Sequence, residues 1–301
     1  MSLLPKKYKP AVPLTPGKNA SVFRARNSFL DRDVFLKIYD VPENDPKSAL
    51  QEPQLLQSLS HPNLARIHSA DALKGDRLLL EMELIVGGSL QDLLDQAAHE
   101  RIWPGIGRAL VLTADIAHGL SALHAKGLVH RDIKPANVMI RNAQDREHAV
   151  VTDLGLASAL DESGRAFSSR HARIYRPPEV WDGNGYSKAS DVYQTGVVLY
   201  QLLGGTVPYD KANLDDNDLA ELTITGTLFD LSDIGPHVER TLRTLVGKCV
   251  CPEATRISTM PDLLSAIQSV KNSHLDWTYS ATAGGFALAR SLGNRQYDVQ
   301  V

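Results

Sequence analysis

Nine consecutive residues, His130-Arg131-Asp132-Ile133-Lys134-Pro135-Ala136-Asn137-Val138, have the polar types and spacing that phosphoryl chemistry needs. Asp132 can accept a proton from an attacking hydroxyl, Lys134 can neutralise a transferring phosphate, and Asn137 can hold a metal. A packed core has no use for such a set, because opposite charges buried without partners are expensive. The bland alternative is a charged surface turn. A second acidic element argues against it: Asp153-Leu154-Gly155 stands at the end of another apolar run.

Groups of this kind work only when a frame holds them, and the chain changes character where such a frame would need a junction. Up to about residue 86 it reads mostly as strands. Ser21 to Ala25 and Asp33 to Tyr39 flank a polar turn and suggest a hairpin, and Leu64 to His68 and Arg77 to Met82 supply two more strands around Lys74-Gly75-Asp76. Between the pairs, a helix is predicted from about Asp45 to Leu59. Leu55, Leu56 and Leu59 form its apolar stripe, Asp45 is its cap and Pro46 its first residue. Gly87-Gly88 breaks the pattern, and helices dominate afterwards. Ser89 with Asp92 makes a capping-box signature, a long apolar helix runs from Gly105 to Ala125, another from about Ser190 to Leu203, and shorter ones continue to about Val270. Short strands at Val138 to Ile140 and Ala149 to Val151 frame an insertion from Arg141 to His148. The expected fold class is therefore α+β and bilobal. A small antiparallel-sheet lobe with one helix (residues 1–86) precedes a larger, mainly helical lobe (87–272), with a cleft at the junction. Residues 273–301 form a C-terminal extension with no readable role.

Composition narrows the function classes. With 301 residues, 43% hydrophobic residues and a formal charge of -3, the chain fits a soluble globular protein and shows no basic excess of the kind nucleic acid attracts. The first seven residues lack a signal peptide's apolar run, and no stretch elsewhere reads as long and apolar enough to span a bilayer, so a cytoplasmic protein is expected. Cys249 and Cys251 are too close together for an ordinary disulfide and too few for a zinc site; they read as reduced thiols.

Taken in order, these motifs resemble the eukaryotic-like (Hanks-type) serine/threonine protein kinase family, bacterial members included, from about Leu14 to Val270. The resemblance implies ATP and Mg2+ as cofactors and a protein as substrate. It makes Asp132 the residue that orients and deprotonates the substrate hydroxyl, places Lys134 beside the transferring phosphate, and makes Asn137 and Asp153 the metal ligands. Leu154 stands where the family's metal-binding motif has Phe. Lys37 would pair with the nucleotide phosphates and with Glu52 of the small-lobe helix. Met82 and Glu83 align with the gatekeeper and first hinge position, placing adenine against the backbone near Glu83 to Ile85. Gly17, Ala20 and Val22 belong to the phosphate loop. Glu179, in Pro177-Pro178-Glu179, would form a structural ion pair with Arg256, and Asp191 would brace the catalytic loop through backbone hydrogen bonds.

The chain departs from that pattern in places. The stretch Thr15 to Val22 keeps only Gly17 of three glycines, which predicts weaker nucleotide affinity without loss of activity, since side chains restrict the approach of backbone amides to phosphate. Pro53 follows Glu52 and would kink or restart the helix, making the Glu52–Lys37 pair conditional. Ala172 occupies the position of a threonine that usually hydrogen-bonds the catalytic aspartate and lysine. Ser168 and Ser169 are candidate phosphorylation sites with Arg131 as partner, or incidental serines of a polar loop. The leading expectation is an ATP-dependent serine/threonine kinase that also phosphorylates itself, with a homodimer forming during trans-autophosphorylation. The alternative is a pseudokinase acting as a binding or scaffolding module. A small-molecule kinase fits less well, because Pro177-Pro178-Glu179 resembles the end of a protein-substrate platform.

Overall fold

The computed structural model describes residues 4–14, 21–40, 59–143, 146–154, 157–168, 172–207, 214–270, 277–282, 285–292 and 295–300. Gly17, Ala20, Glu52, Pro53, Ser169 and all of the expected small-lobe helix except Leu59 lie outside them.

The small lobe is a five-stranded antiparallel sheet in the order β1-β2-β3-β5-β4: β1 is Tyr8–Pro13, β2 Ser21–Asn27, β3 Arg32–Asp40, β4 Ile67–Leu73 and β5 Arg77–Glu83. Period-two alternation along β3 sorts its side chains between two faces. Val34, Leu36 and Ile38 join Tyr8, Ala25 and Leu79 in a core of the lobe's own. Lys37 takes the opposite face, in register with Val22 on one side and Leu80 on the other, and Leu80 belongs to the main core beneath. The upper core is pinned by a buried carboxylate. Tyr8 Oη, Asn27 Nδ2 and an Arg32 guanidinium nitrogen each donate to Glu81 at 2.8 Å.

β4 lies further along the chain than the sequence predicts. Leu64 and Ala65 do not extend it, because they turn to β9: Leu64 bridges Val151 and Ala65 N–H donates to Val151 O at 2.8 Å, while the neighbouring Asn63 side chain donates through Nδ2 to Ala149 O at 2.9 Å. These bonds tie the small lobe to the large one.

The large lobe comprises α1 (Leu90–Glu100), β6 (Ile102–Trp103), α2 (Ile106–Ala125), β7 (Leu128–Val129), β8 (Val138–Ala143), β9 (Arg146–Val151) and β10 (Ser158–Ala159). Beyond these come α3 (Pro178–Trp181), α4 (Lys188–Leu202), α5 (Asp216–Ile224), α6 (Arg240–Val250) and α7 (Met260–Val270). The predicted capping box is present: Ser89 and Asp92 satisfy each other's backbone N–H at the start of α1. The expected insertion at 141–148 is instead the outer part of a β8–β9 hairpin, paired from Val138↔Val151 to Ala143↔Arg146. Among the described helices α2 is the one long and apolar enough to cross a membrane by length and composition, contrary to the expectation that no stretch is. Its Leu112, Ile116, Leu120 and Leu123 are fully buried among α4, α7 and β9, so its apolar character serves the core. Cys249 is buried in α6, Cys251 follows it, and both are free.

The C-terminal extension has a structure the sequence did not disclose. β11 (Thr278–Thr282), β12 (Gly285–Leu292) and β13 (Arg295–Gln300) form an antiparallel meander that attaches to β6, giving the order β13-β12-β11-β6. Tyr279 anchors it, with its ring centroid 5.6 Å from that of Trp103 and stacked 5.1 Å from that of His237.

Candidate active site

The Asp132 loop runs from β7 to β8 and is held from behind by α4. Asp191, completely buried at the start of that helix, accepts the backbone N–H of His130 and of Arg131, both at 2.9 Å. The ring Nε2 of His124 lies 2.7 Å from the same carboxylate. Burial pushes the Asp191 carboxyl up, but the His124 contact and the His130 backbone outweigh it, and the group sits below the usual carboxylate range. His130 turns its ring inward, its Nε2 2.9 Å from Thr152 O, linking the loop to the strand that leads to Asp153. Arg131 and Asp153 both adopt left-handed backbone, φ 71° and 57°, which is uncommon for residues with a Cβ and concentrates at functional sites.

These supports bring Asp132, Lys134 and Asn137 together. Lys134 Nζ donates to Asp132 Oδ2 at 2.7 Å, and Asn137 Nδ2 donates to the same oxygen and to Asp132 O, each at 2.8 Å. From the opposite lobe, Lys37 Nζ forms an ion pair with Asp153 across the cleft. Burial raises the Asp153 carboxyl, yet the Lys37 ammonium, then His130 and Lys134, bring it below its ordinary value. Glu52 is outside the described residues, and among those described Lys37 pairs with Asp153.

The hinge side is also placed. Met82 is buried at the end of β5, and Val22 is half-buried on β2. Glu83 N–H donates to Arg66 O at 2.9 Å, and its carboxylate accepts from Arg141 at 2.7 Å. Ile85 is buried, and its backbone makes no hydrogen bond to the described residues. Gly87 lets the hinge pass against β8: a Cβ there would lie 2.1 Å from Ile140 O.

At the end of the following segment, Arg256 clasps Glu179 through two parallel bonds of 2.7 and 2.8 Å, and Ser190 Oγ donates to the same carboxylate at 2.6 Å. Arg131, the expected phosphate partner, donates to Phe167 O at 2.7 Å, next to Ser168. One further group escaped the sequence reading. The Gln194 carboxamide of α4 lies within hydrogen-bond distance of the backbone on both sides of Asp132. The signal was a glutamine in a helix buried on nearly every side, since a buried amide needs partners.

The donor set suits a hard cation. No group of three or more His, Cys, Asp or Glu able to hold a metal occurs among the described residues. The Asp153 carboxylate and the Asn137 side-chain carbonyl are oxygen donors next to two lysines, which matches magnesium bound by one or two protein oxygens and completed by phosphate and water.

A model of the protein kinase domain matches residues 8–267. The chain is 37% identical over 162 residues to the serine/threonine-protein kinase PkaA of Streptomyces coelicolor, covering 53% of this chain and 29% of that protein. It is 31% identical over 203 residues to the serine/threonine-protein kinase PknJ of Mycobacterium tuberculosis, covering 65% and 33%. With the serine/threonine-protein kinase pkn2 of Myxococcus xanthus the identity is 32% over 207 residues, covering 66% and 24%. The alignments thus span between 24% and 33% of these relatives' own length.

Proposed function

The chain belongs to the protein kinase domain family, and from that premise we propose that it transfers the γ-phosphate of ATP to a serine or threonine hydroxyl of a protein, itself included. The observation that carries the proposal is the convergence of Asp132, Lys134 and Asn137 with the Lys37–Asp153 pair at one cleft.

In this reading the Asp132 carboxylate orients the substrate hydroxyl and takes its proton as the oxygen attacks the γ-phosphorus. The bond to the β-phosphate oxygen breaks, and ADP leaves with that electron pair. Lys134, already on Asp132 Oδ2, supplies positive charge where the equatorial oxygens pass. Lys37 exchanges Asp153 for the nucleotide phosphates. Asn137 and Asp153 would hold a magnesium ion, which when bound neutralises phosphate charge. The Ile85 backbone, which makes no hydrogen bond to the described residues, would meet the adenine edge, with Val22 and Met82 offering apolar surface around it. Gly17, Ala20 and Glu52 complete the nucleotide site in this proposal, and a second copy of the chain would bind transiently during self-phosphorylation.

Incubation with labelled ATP and magnesium tests it. Wild-type protein should label itself and a generic protein substrate, and Asp132→Asn and Asp153→Ala should each reduce incorporation by roughly 10²- to 10⁴-fold. Nucleotide binding without transfer in the wild type would instead support the scaffolding reading. Incorporation indifferent to both substitutions would remove the assignment.

A further inference from the structure

We propose that Gln194 is the positioning residue that fixes Asp132 and couples it to the turn ending the segment after Asp153. The inference rests on Asp132 being the catalytic base, as proposed above.

The geometry is specific. Gln194 Oε1 accepts the Ile133 N–H at 3.0 Å, and Gln194 Nε2 donates to Arg131 O at 3.0 Å. One carboxamide therefore holds the peptide unit on each side of Asp132. The same Nε2 donates to Tyr175 O at 3.1 Å, in the short turn Arg173–Tyr175 that follows Ala172. Ala172 has no hydrogen-bonding side chain, so a link from this turn to Asp132 must come from elsewhere. Gln194 provides it from α4, three residues after Asp191, which holds the two preceding N–H groups of the loop.

Energetics favour a directing role over simple packing. Gln194 is 1% exposed. An apolar residue of similar volume would fill the space as well, but would leave the Ile133 N–H and two carbonyls without this partner, and a buried polar group stripped of its partner is destabilising. Arg131 already has left-handed backbone, so the loop needs an external constraint at that residue, and Gln194 acts on its carbonyl. Displacing a reacting group by about 1 Å is enough to lower a rate by roughly 10²-fold.

The test compares wild type with Gln194→Met, which keeps the volume and removes all three bonds, and Gln194→Ser, which leaves room for water. For each, the melting temperature, steady-state phosphate transfer and hydrogen exchange of the Ile133 amide are measured. The proposal expects faster exchange at Ile133 and a kcat lower by about 10- to 100-fold, with KM for ATP within about twofold of wild type. Should Gln194→Met fail to fold, Gln194→Ser carries the comparison. Unchanged exchange at Ile133, or a kcat reduced only in proportion to the folded fraction, overturns it. Wild-type protein that transfers no phosphate would sink the kinase reading alone, and the exchange result would then decide the brace by itself.

Discussion

Lys37 is the cation that holds Asp153 below the ordinary carboxylate range against the opposing effect of burial. Replacing it with methionine removes the largest favourable charge and leaves the burial, so the Asp153 carboxyl should titrate upward. Carbon-13 NMR titration of the labelled carboxyl in Lys37→Met reads this directly, and a downward or absent shift would contradict the ion pair. Residues close in sequence were the legible part of the site. Asp132, Lys134 and Asn137 fall within six positions, and their types suggest chemistry without any fold. The meeting of Lys37 with Asp153 spans both lobes, and only the family resemblance placed both residues at one cleft. Gln194 could be seen as a buried amide in waiting, but a helical position does not say which backbone it will reach.

Among the supporting elements, the junction of α3 with the segment after α6 rests on Glu179 and Arg256, 3% and 0% exposed at their side chains. Arg256→Met removes one partner and leaves a buried carboxylate, which should lower unfolding free energy by about 3–5 kcal/mol in urea titration. Arg165→Met, at the partly exposed Arg165–Glu253 pair, serves as the contrast and should lose no more than about 1 kcal/mol. Equal losses would mean that burial is not what distinguishes the two pairs. The large-lobe helices could be read from period and caps because their determinants are local: α2 from its apolar face, α1 from Ser89 and Asp92. The β8–β9 hairpin was misread because its outer half carries Arg141, Asn142, Glu147 and His148. Such a half-exposed strand pair looks like a loop until the pairing is known. The terminal meander was illegible for a related reason. Its acceptor strand β6 is two residues long and has no strand pattern of its own.

At the scale of the whole molecule, both lobes rest on carboxylates with depressed pKa. Burial raises Glu81, Glu179 and Asp191, and in each case the partners outweigh it: Arg32, Tyr8 and Asn27 for Glu81, Arg256 and Ser190 for Glu179, His124 and His130 for Asp191. The unfolded chain therefore binds more protons than the native one in acid. The stability these groups give is fully present above about pH 4–4.5, the unfolded range, and is lost as pH falls through their lower native values. Tryptophan fluorescence and near-UV circular dichroism should report loss of tertiary structure on acidification, and stability that rises as pH drops below 4 would contradict the assignment. The meander carries a different consequence, one of timing during synthesis. Tyr279 pairs with Trp103, about 180 residues earlier in the chain, which a ribosome adding roughly 5–20 residues per second needs about 10–35 s to cover. For that interval β6 is an open sheet edge on a nascent lobe, because its partner strand β11 is made only after α7.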